Sequence, residues 1–190
     1  MGFWKAVTGR SDPAPARLDS LFEVPSAAVI LQTETGFVPA GTGSVCYRGA
    51  SGAAFAQTQQ EVLDLLKASS SAPEVEVSRD SFGFTWLTVT GEPGDPSGLC
   101  TDLHAVNTTL EAAGFGHGLL CTLVPFRDPA GRRLGLVYLY KQGTYYGFAP
   151  TGPQQRDNLL ELQIRDVLAQ ELPMEQDLQR WLAVWDAPGL

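Results

Sequence analysis

Between residues 74 and 168 the apolar positions fall into two alternating rhythms. Glu74–Arg79 sets Val75 and Val77 between polar and charged neighbours, and Asp80-Ser81 makes a turn. Phe82, Phe84 and Trp86 then recur at every second position, with Leu87 and Val89 on the opposite side, which is the two-residue period of a strand. After the loop GEPGDPSG the period lengthens. Leu99, Leu103, Val106, Leu110 and Ala113 mark one helix face, with Asp95 as N-cap, Pro96 in the first helical position and Gly114 as the left-handed residue past the end. Leu119–Phe126 and Arg133–Lys141, joined by a turn at DPAG, are strands again. The second of these is apolar on both faces, with Leu134, Leu136, Tyr138 and Tyr140 alternating with Gly135, Val137 and Leu139, which predicts a central strand. A capping box at Thr151–Gln154 is expected to open a helix through Leu160, Ile164, Val167 and Leu168. Pro173 ends that helix, and a short one follows at Glu175–Trp181.

The first part of the chain repeats this order. A short helix at residues 1–10 is broken by the proline-rich SDPAPAR, and a helical turn follows at Leu18–Phe22. Ala27–Thr33 and Phe37–Arg48 read as two strands about a Thr35-Gly36 turn, and Ala53–Ala68 reads as a helix ended by SSSAP. The pattern predicts an α+β fold with about six strands in an antiparallel-rich sheet, built from three hairpin-plus-helix units whose helices cover one face. Residues 1–17 are expected to form a helix and linker, and residues 18–190 a single domain. On this reading Phe82, Phe84 and Trp86 lie beneath the helices, near Leu103 and Leu110.

Composition narrows the function classes. The 190 residues are 44% hydrophobic and 18% charged, and 13 basic residues against 21 acidic ones give a net charge of −8. A chain of this length can bury roughly 70% of its unfolded surface, and an acidic balance disfavours nonspecific nucleic-acid binding. No apolar run approaches the roughly 20 residues of a membrane span, and the N-terminus lacks the apolar core of a signal peptide. Cys46, Cys100 and Cys121, odd in number and apolar in setting, read as free buried thiols.

Residues that carry chemistry are sparse. His104 is expected on a helix surface and His117 in an exposed loop. Gly49-Ala-Ser51-Gly-Ala53 approaches a nucleophile elbow, with Asp102 and either histidine following in chain order, but it lacks the last glycine and a parallel sheet. Ser51 reads instead as a helix N-cap. Gly41-Thr-Gly43-Ser-Val-Cys46 lacks the third glycine of a dinucleotide loop and lies in a strand, so close backbone approach or a bulge is the better account. No catalytic, cofactor or metal residues are assigned, and no cofactor is expected. Two features stand out as binding candidates. One is the basic group Arg127, Arg132, Arg133 and Lys141. The other is the aromatic group Tyr138, Tyr140, Tyr145, Tyr146 and Phe148, with Trp181 and Trp185 near the C-terminus; core packing accounts for most of it, and Tyr145 and Tyr146 are its binding candidates.

Several stretches carry a family resemblance: LDSLFEVPSAAVILQ with GFVPAGTGSVCYR, SRDSFGFTW, DLHAVNTTLEAAGFG, LVYLYKQGTYYGFAP, RDNLLELQIRD and DLQRWLAVWDAPGL. Together they resemble the PspA-associated protein PspAB family of actinobacteria. The resemblance implies a non-enzymatic accessory or adaptor protein of the phage-shock envelope-stress system. It implies a cytoplasmic location, with peripheral placement at the inner membrane face left open. The implied partners are a PspA-type coiled-coil protein or an HtpX-type membrane protease, and the family brings no catalytic motif with it. The alternative is a small-molecule sensor or a cryptic enzyme using a pocket between sheet and helices.

Overall fold

The computed structural model describes residues 17–48, 53–68, 74–92 and 94–190. The expected N-terminal helix, the Gly49–Gly52 stretch with Ser51 and the SSSAP helix end therefore lie outside the described residues. A 3-10 turn at Leu18–Glu23 leads into α1 (Val24–Thr35), which ends on Gly36 at φ +79°. This replaces the strand expected at Ala27–Thr33. Val29, Ile30 and Leu31 look strand-like by composition, but Val24, Ala27, Ala28 and Leu31 are the buried positions and share one helix face. Tertiary burial outweighs a weak β-propensity here.

The remaining elements are β1 (Val38–Pro39), β2 (Thr42–Tyr47), α2 (Ala53–Lys67), β3 (Glu74–Arg79), β4 (Thr85–Thr90), α3 (Pro96–Leu110), β5 (Leu119–Arg127), β6 (Arg133–Leu139), β7 (Thr144–Phe148), β8 (Pro150–Gly152), β9 (Gln155–Arg156) and α4 (Asn158–Leu168). The main sheet runs β3-β4-β2-β5-β6-β7, with β1 also paired to β5. Its strand pairings are antiparallel. The fold is thus α+β with a mostly antiparallel sheet. Asp95 caps α3 as expected, accepting from the N–H groups of Ser97 and Gly98, and Gly114 is left-handed at φ +86°. The first hairpin is absent because its first strand is α1.

Two local expectations change in the last third of the chain. Thr151–Gln154 does not cap a helix but spans the end of β8 and the turn into β9, and Asp157 caps α4 by accepting from Leu160 N–H at 3.0 Å. Glu161, in the first turn of α4, reaches back to accept from Ala149 N–H and Arg156 Nε, both at 2.8 Å. The helix expected at Glu175–Trp181 is a single 3-10 turn at Leu178–Arg180.

Alternation along the strands divides the sheet into two unlike faces. On one face, Val45, Tyr47, Leu87, Val89, Val124, Phe126, Leu134, Leu136 and Tyr138 pack under α1, α3 and α4. Gly43 lies on this side, and a Cβ there would come within 2.6 Å of Leu103, which is the close backbone approach its glycine permits. The other face carries Cys46, Trp86, Cys121, Leu123, Val137, Leu139, Tyr146 and Phe148. That face is covered by the irregular segment 181–190, which crosses the sheet and contributes Trp181, Val184, Trp185, Ala187 and Leu190.

Trp86 is buried, but on this second face, opposite Leu103 and Leu110. The reason is register: Trp86 stands opposite Cys46 and Leu87 opposite Val45, so the indole takes the side of Cys46. The Oδ1 of Asp80 accepts from the N–H groups of Phe82 and Phe84, which turns residues 81–84 before β4 begins at Thr85. Leu87 and Val89 then take the helix side. Phe84 is half-buried on the second face, and Phe82 stays 60% exposed.

Candidate functional site

A cleft opens between the second face of the sheet and the strap formed by residues 181–190. Its volume is about 500 Å³, and its wall is almost wholly apolar, with Trp86, Leu120 and Leu139 on the sheet side and Leu182, Val184 and Trp185 on the strap side. Ring stacking positions the strap. Trp181 stacks on Tyr146 at 5.9 Å, and Trp185 meets Phe148 edge-on at 4.9 Å. Hydrogen bonds pin it further: Tyr146 Oη donates to the Leu182 carbonyl at 2.7 Å, and Ser81 Oγ donates to Asp186 at 2.9 Å. Arg156, paired with buried Glu161 at 2.8 Å, donates Nη1 to the Trp181 carbonyl and lies 4.8 Å over the Phe148 ring.

Two thiols belong to the same wall. Cys46 on β2 and Cys121 on β5 are directly opposite in the ladder, just before the register shift at Tyr47. The hydrogen bond between the thiols, together with burial, holds Cys46 far above the ordinary thiol range. Cys100 sits in the helix-side core, where burial pushes it up to about 12. All three are free, as their number and setting predict. Among the described residues no group of His, Cys, Asp and Glu is arranged to hold a metal ion.

The histidines stand in separate local arrangements. His104, half-buried on α3, lies 3.4 Å from Asp19 and tilts against Phe22 with ring centroids 4.7 Å apart. His117 Nδ1 sits 3.2 Å from the Gly114 carbonyl in the exposed turn after α3.

The basic and aromatic candidates do not form one patch. Tyr145 and Tyr146 are each 1% exposed, so both rings are core rather than surface. Tyr145 faces the helices and Tyr146 the strap. Arg132 donates to Asp128 through Nε at 2.7 Å and lies 5.4 Å over the Phe37 ring, so its charge is engaged within the molecule. Desolvation pushes the Asp128 carboxyl up, but the hydrogen bonds from Arg132 Nε and the Arg132 backbone N–H hold it below its usual value. Arg127 and Arg133 face one another directly across β5 and β6, and neither has a carboxylate partner among the described residues. Lys141 lies past the far end of β6, eight residues from Arg133 or about 25 Å along the strand direction, and lines the cleft mouth with Arg48.

The model of the family PspA associated protein B matches residues 1–189. The chain belongs to the PspAB family. No curated protein and no solved structure matches it. PspAB membership bears out the resemblance read from the sequence, and the family description supports an accessory role beside PspA. None of the helices among the described residues of this PspAB chain is long and apolar enough to cross a membrane.

The cleft itself was not legible in the sequence. Its wall joins β2, β4, β5 and β6 to the strap, and the local signal in the sequence is the pair Trp181 and Trp185 in the last stretch. The expected place for a pocket, between sheet and helices, is instead filled by the larger core.

Proposed function

We infer that this PspAB-family protein is a non-enzymatic accessory factor that docks on an acidic surface of a partner protein through the end of its β5–β6 hairpin. The observation that carries this reading is the Arg127–Arg133 pair. Like charges directly opposite on a ladder are destabilising, and here neither has a carboxylate partner among the described residues of a chain whose net charge is −8. An acidic partner would relieve that repulsion and gain two charge-assisted contacts. A PspA-type coiled-coil protein is the partner that the family description favours, and an HtpX-type membrane protease is the second to probe. Such docking would place the protein in the cytoplasm at the inner face of the membrane. The separate settings of His104 and His117 fit binding better than catalysis.

The test is recovery of a PspA-type protein from host lysate on immobilised wild type and on Arg127→Glu/Arg133→Glu, at low and at moderate salt. Weaker recovery on the variant, with the wild-type signal falling as salt rises, is expected. Equal recovery at low salt would remove the hairpin end as the contact. Metabolite turnover abolished by His104→Ala would overturn the non-enzymatic reading.

The cleft favours a second reading, small-molecule sensing, because its volume and apolar wall are those of a ligand site.

A further inference from the structure

The cleft is apolar inside and cationic at one end of its rim. Arg48 follows Cys46 by two residues on the line of β2, and Lys141 follows Leu139 by two on the line of β6. Both are among the residues that line the cleft, as do Cys46 and Leu139. The strand between them is β5, so the backbones of β2 and β6 that lead to the two cations run two strand spacings apart, about 10 Å. Neither has a carboxylate partner among the described residues, and the Arg48 guanidinium rests 5.9 Å over the Phe84 ring. Asp80 is the one carboxylate among the residues that line the cleft, and its oxygens are turned to the protein's own donors, Oδ1 to the N–H groups of Phe82 and Phe84 and Oδ2 to Trp86 Nε1 at 3.0 Å. Phe82 and Leu182, 60% and 65% exposed, form apolar lips at the opening.

We propose that the cleft binds a single-chain anionic amphiphile, its tail against Trp86, Leu120 and Trp185 and its carboxylate or phosphate head between Arg48 and Lys141. This rests on the ligand-sensing reading and is independent of the hairpin end. Each methylene taken into such a wall strengthens binding about fourfold. A purely apolar ligand would leave both cations unused, and a cationic head would meet repulsion from each.

The experiment titrates the purified protein with dodecanoate, dodecyl phosphate and dodecyltrimethylammonium below their micelle concentrations. The readout is the indole N–H resonances of Trp86 and Trp185 by nuclear magnetic resonance, assigned by Trp→Phe variants. The α3 amides of Val106 and Asn107, in the other core, serve as the reference. The two anionic amphiphiles are expected to move both indole signals saturably and leave the α3 amides in place. Two exposed ion pairs should make them bind roughly five- to tenfold tighter than the cationic one. Arg48→Ser/Lys141→Ser should erase that preference and keep tail binding, whereas Arg127→Glu/Arg133→Glu should change neither. Equal affinity for all three amphiphiles, with the indoles moving, would overturn the headgroup assignment and leave ligand sensing standing. Unmoved Trp86 and Trp185 signals with every amphiphile would overturn both. Movement only on adding a PspA-type protein would assign the cleft to a protein segment and refute the proposal.

Discussion

The two faces of one sheet are closed in different ways. On the helix side, α1, α3 and α4 lay regular apolar stripes against the strands, and Leu103 fits over the bare backbone of Gly43. On the other side a single irregular segment spans the sheet, held by two ring contacts and a few side-chain to backbone hydrogen bonds. Regular elements pack without gaps because their side chains repeat at the spacing of the surface they meet. An irregular strap has no such repeat, so it covers the sheet in places and leaves about 500 Å³ open elsewhere. The same strands thus provide a closed core on one side and a recess on the other, with residues one position apart serving opposite purposes.

The largest effect is expected on the helix side. Leu103→Ala should lower unfolding stability by about 4 kcal/mol, in the upper part of the range for this truncation, because the rigid β2 backbone beneath it cannot collapse into the space. On the strap side Trp86→Ala should cost about 3 kcal/mol, the low end for a large aromatic, since the indole already borders a cavity. Denaturant unfolding of both variants orders them, and a greater loss at Trp86 than at Leu103 would break the contrast between the faces. Trp185→Ala, which removes a half-buried ring meeting Phe148 edge-on, should cost about 1–2 kcal/mol in the same measurement. A loss as large as that at Leu103 would mean that the strap is as integral as the helices.

The smallest effect concerns Glu175, on the segment after α4 that runs beside β7 before the strap begins. Burial pushes its carboxyl up, but hydrogen bonds from Asp177 N–H, Thr144 Oγ1 and Arg180 hold the net value below the usual 4.5. A depressed carboxylate stabilises the fold above its unfolded value, and that contribution disappears as pH falls through the folded one. The stability gap between wild type and Glu175→Gln should therefore be present near neutrality and close below about pH 4. A gap independent of pH would show that only the shape of the side chain matters there.

The contrast between faces also marks how far the sequence could be read. β3–β4 and β5–β6 are legible because each pair is a local hairpin with its own turn residues, and α3 because Asp95, Pro96 and Gly114 bracket it. α1 reads as a strand in the sequence because Val29, Ile30 and Leu31 favour one locally, and the helix appears only when burial at Val24, Ala27, Ala28 and Leu31 is known. β7 was not foreseen, its Tyr145 and Tyr146 standing out as aromatics rather than as alternating core positions. Arg127, Arg132, Arg133 and Lys141 looked like one basic group on the line of the chain. Their separation follows from the direction of β6 and from the engagement of Arg132 by Asp128. Irregular segments have no period to read, so the strap and the recess beneath it could emerge only in three dimensions.

The strand order carries a consequence for how the molecule holds together as it forms. β3 and β4 can close on each other, as can β5, β6 and β7, because each group is contiguous in sequence. In the sheet the two groups never meet, and β2 stands between them, bonded to β4 on one edge and β5 on the other. This strand of six residues is synthesised before either neighbour and must wait for both, a long-range closure of the kind that slows folding. Within the ladder, Thr42–Tyr47 is thus the splice between the two leaves, and α3, which packs on β4 and β5 alike, is the clamp that lies across the join.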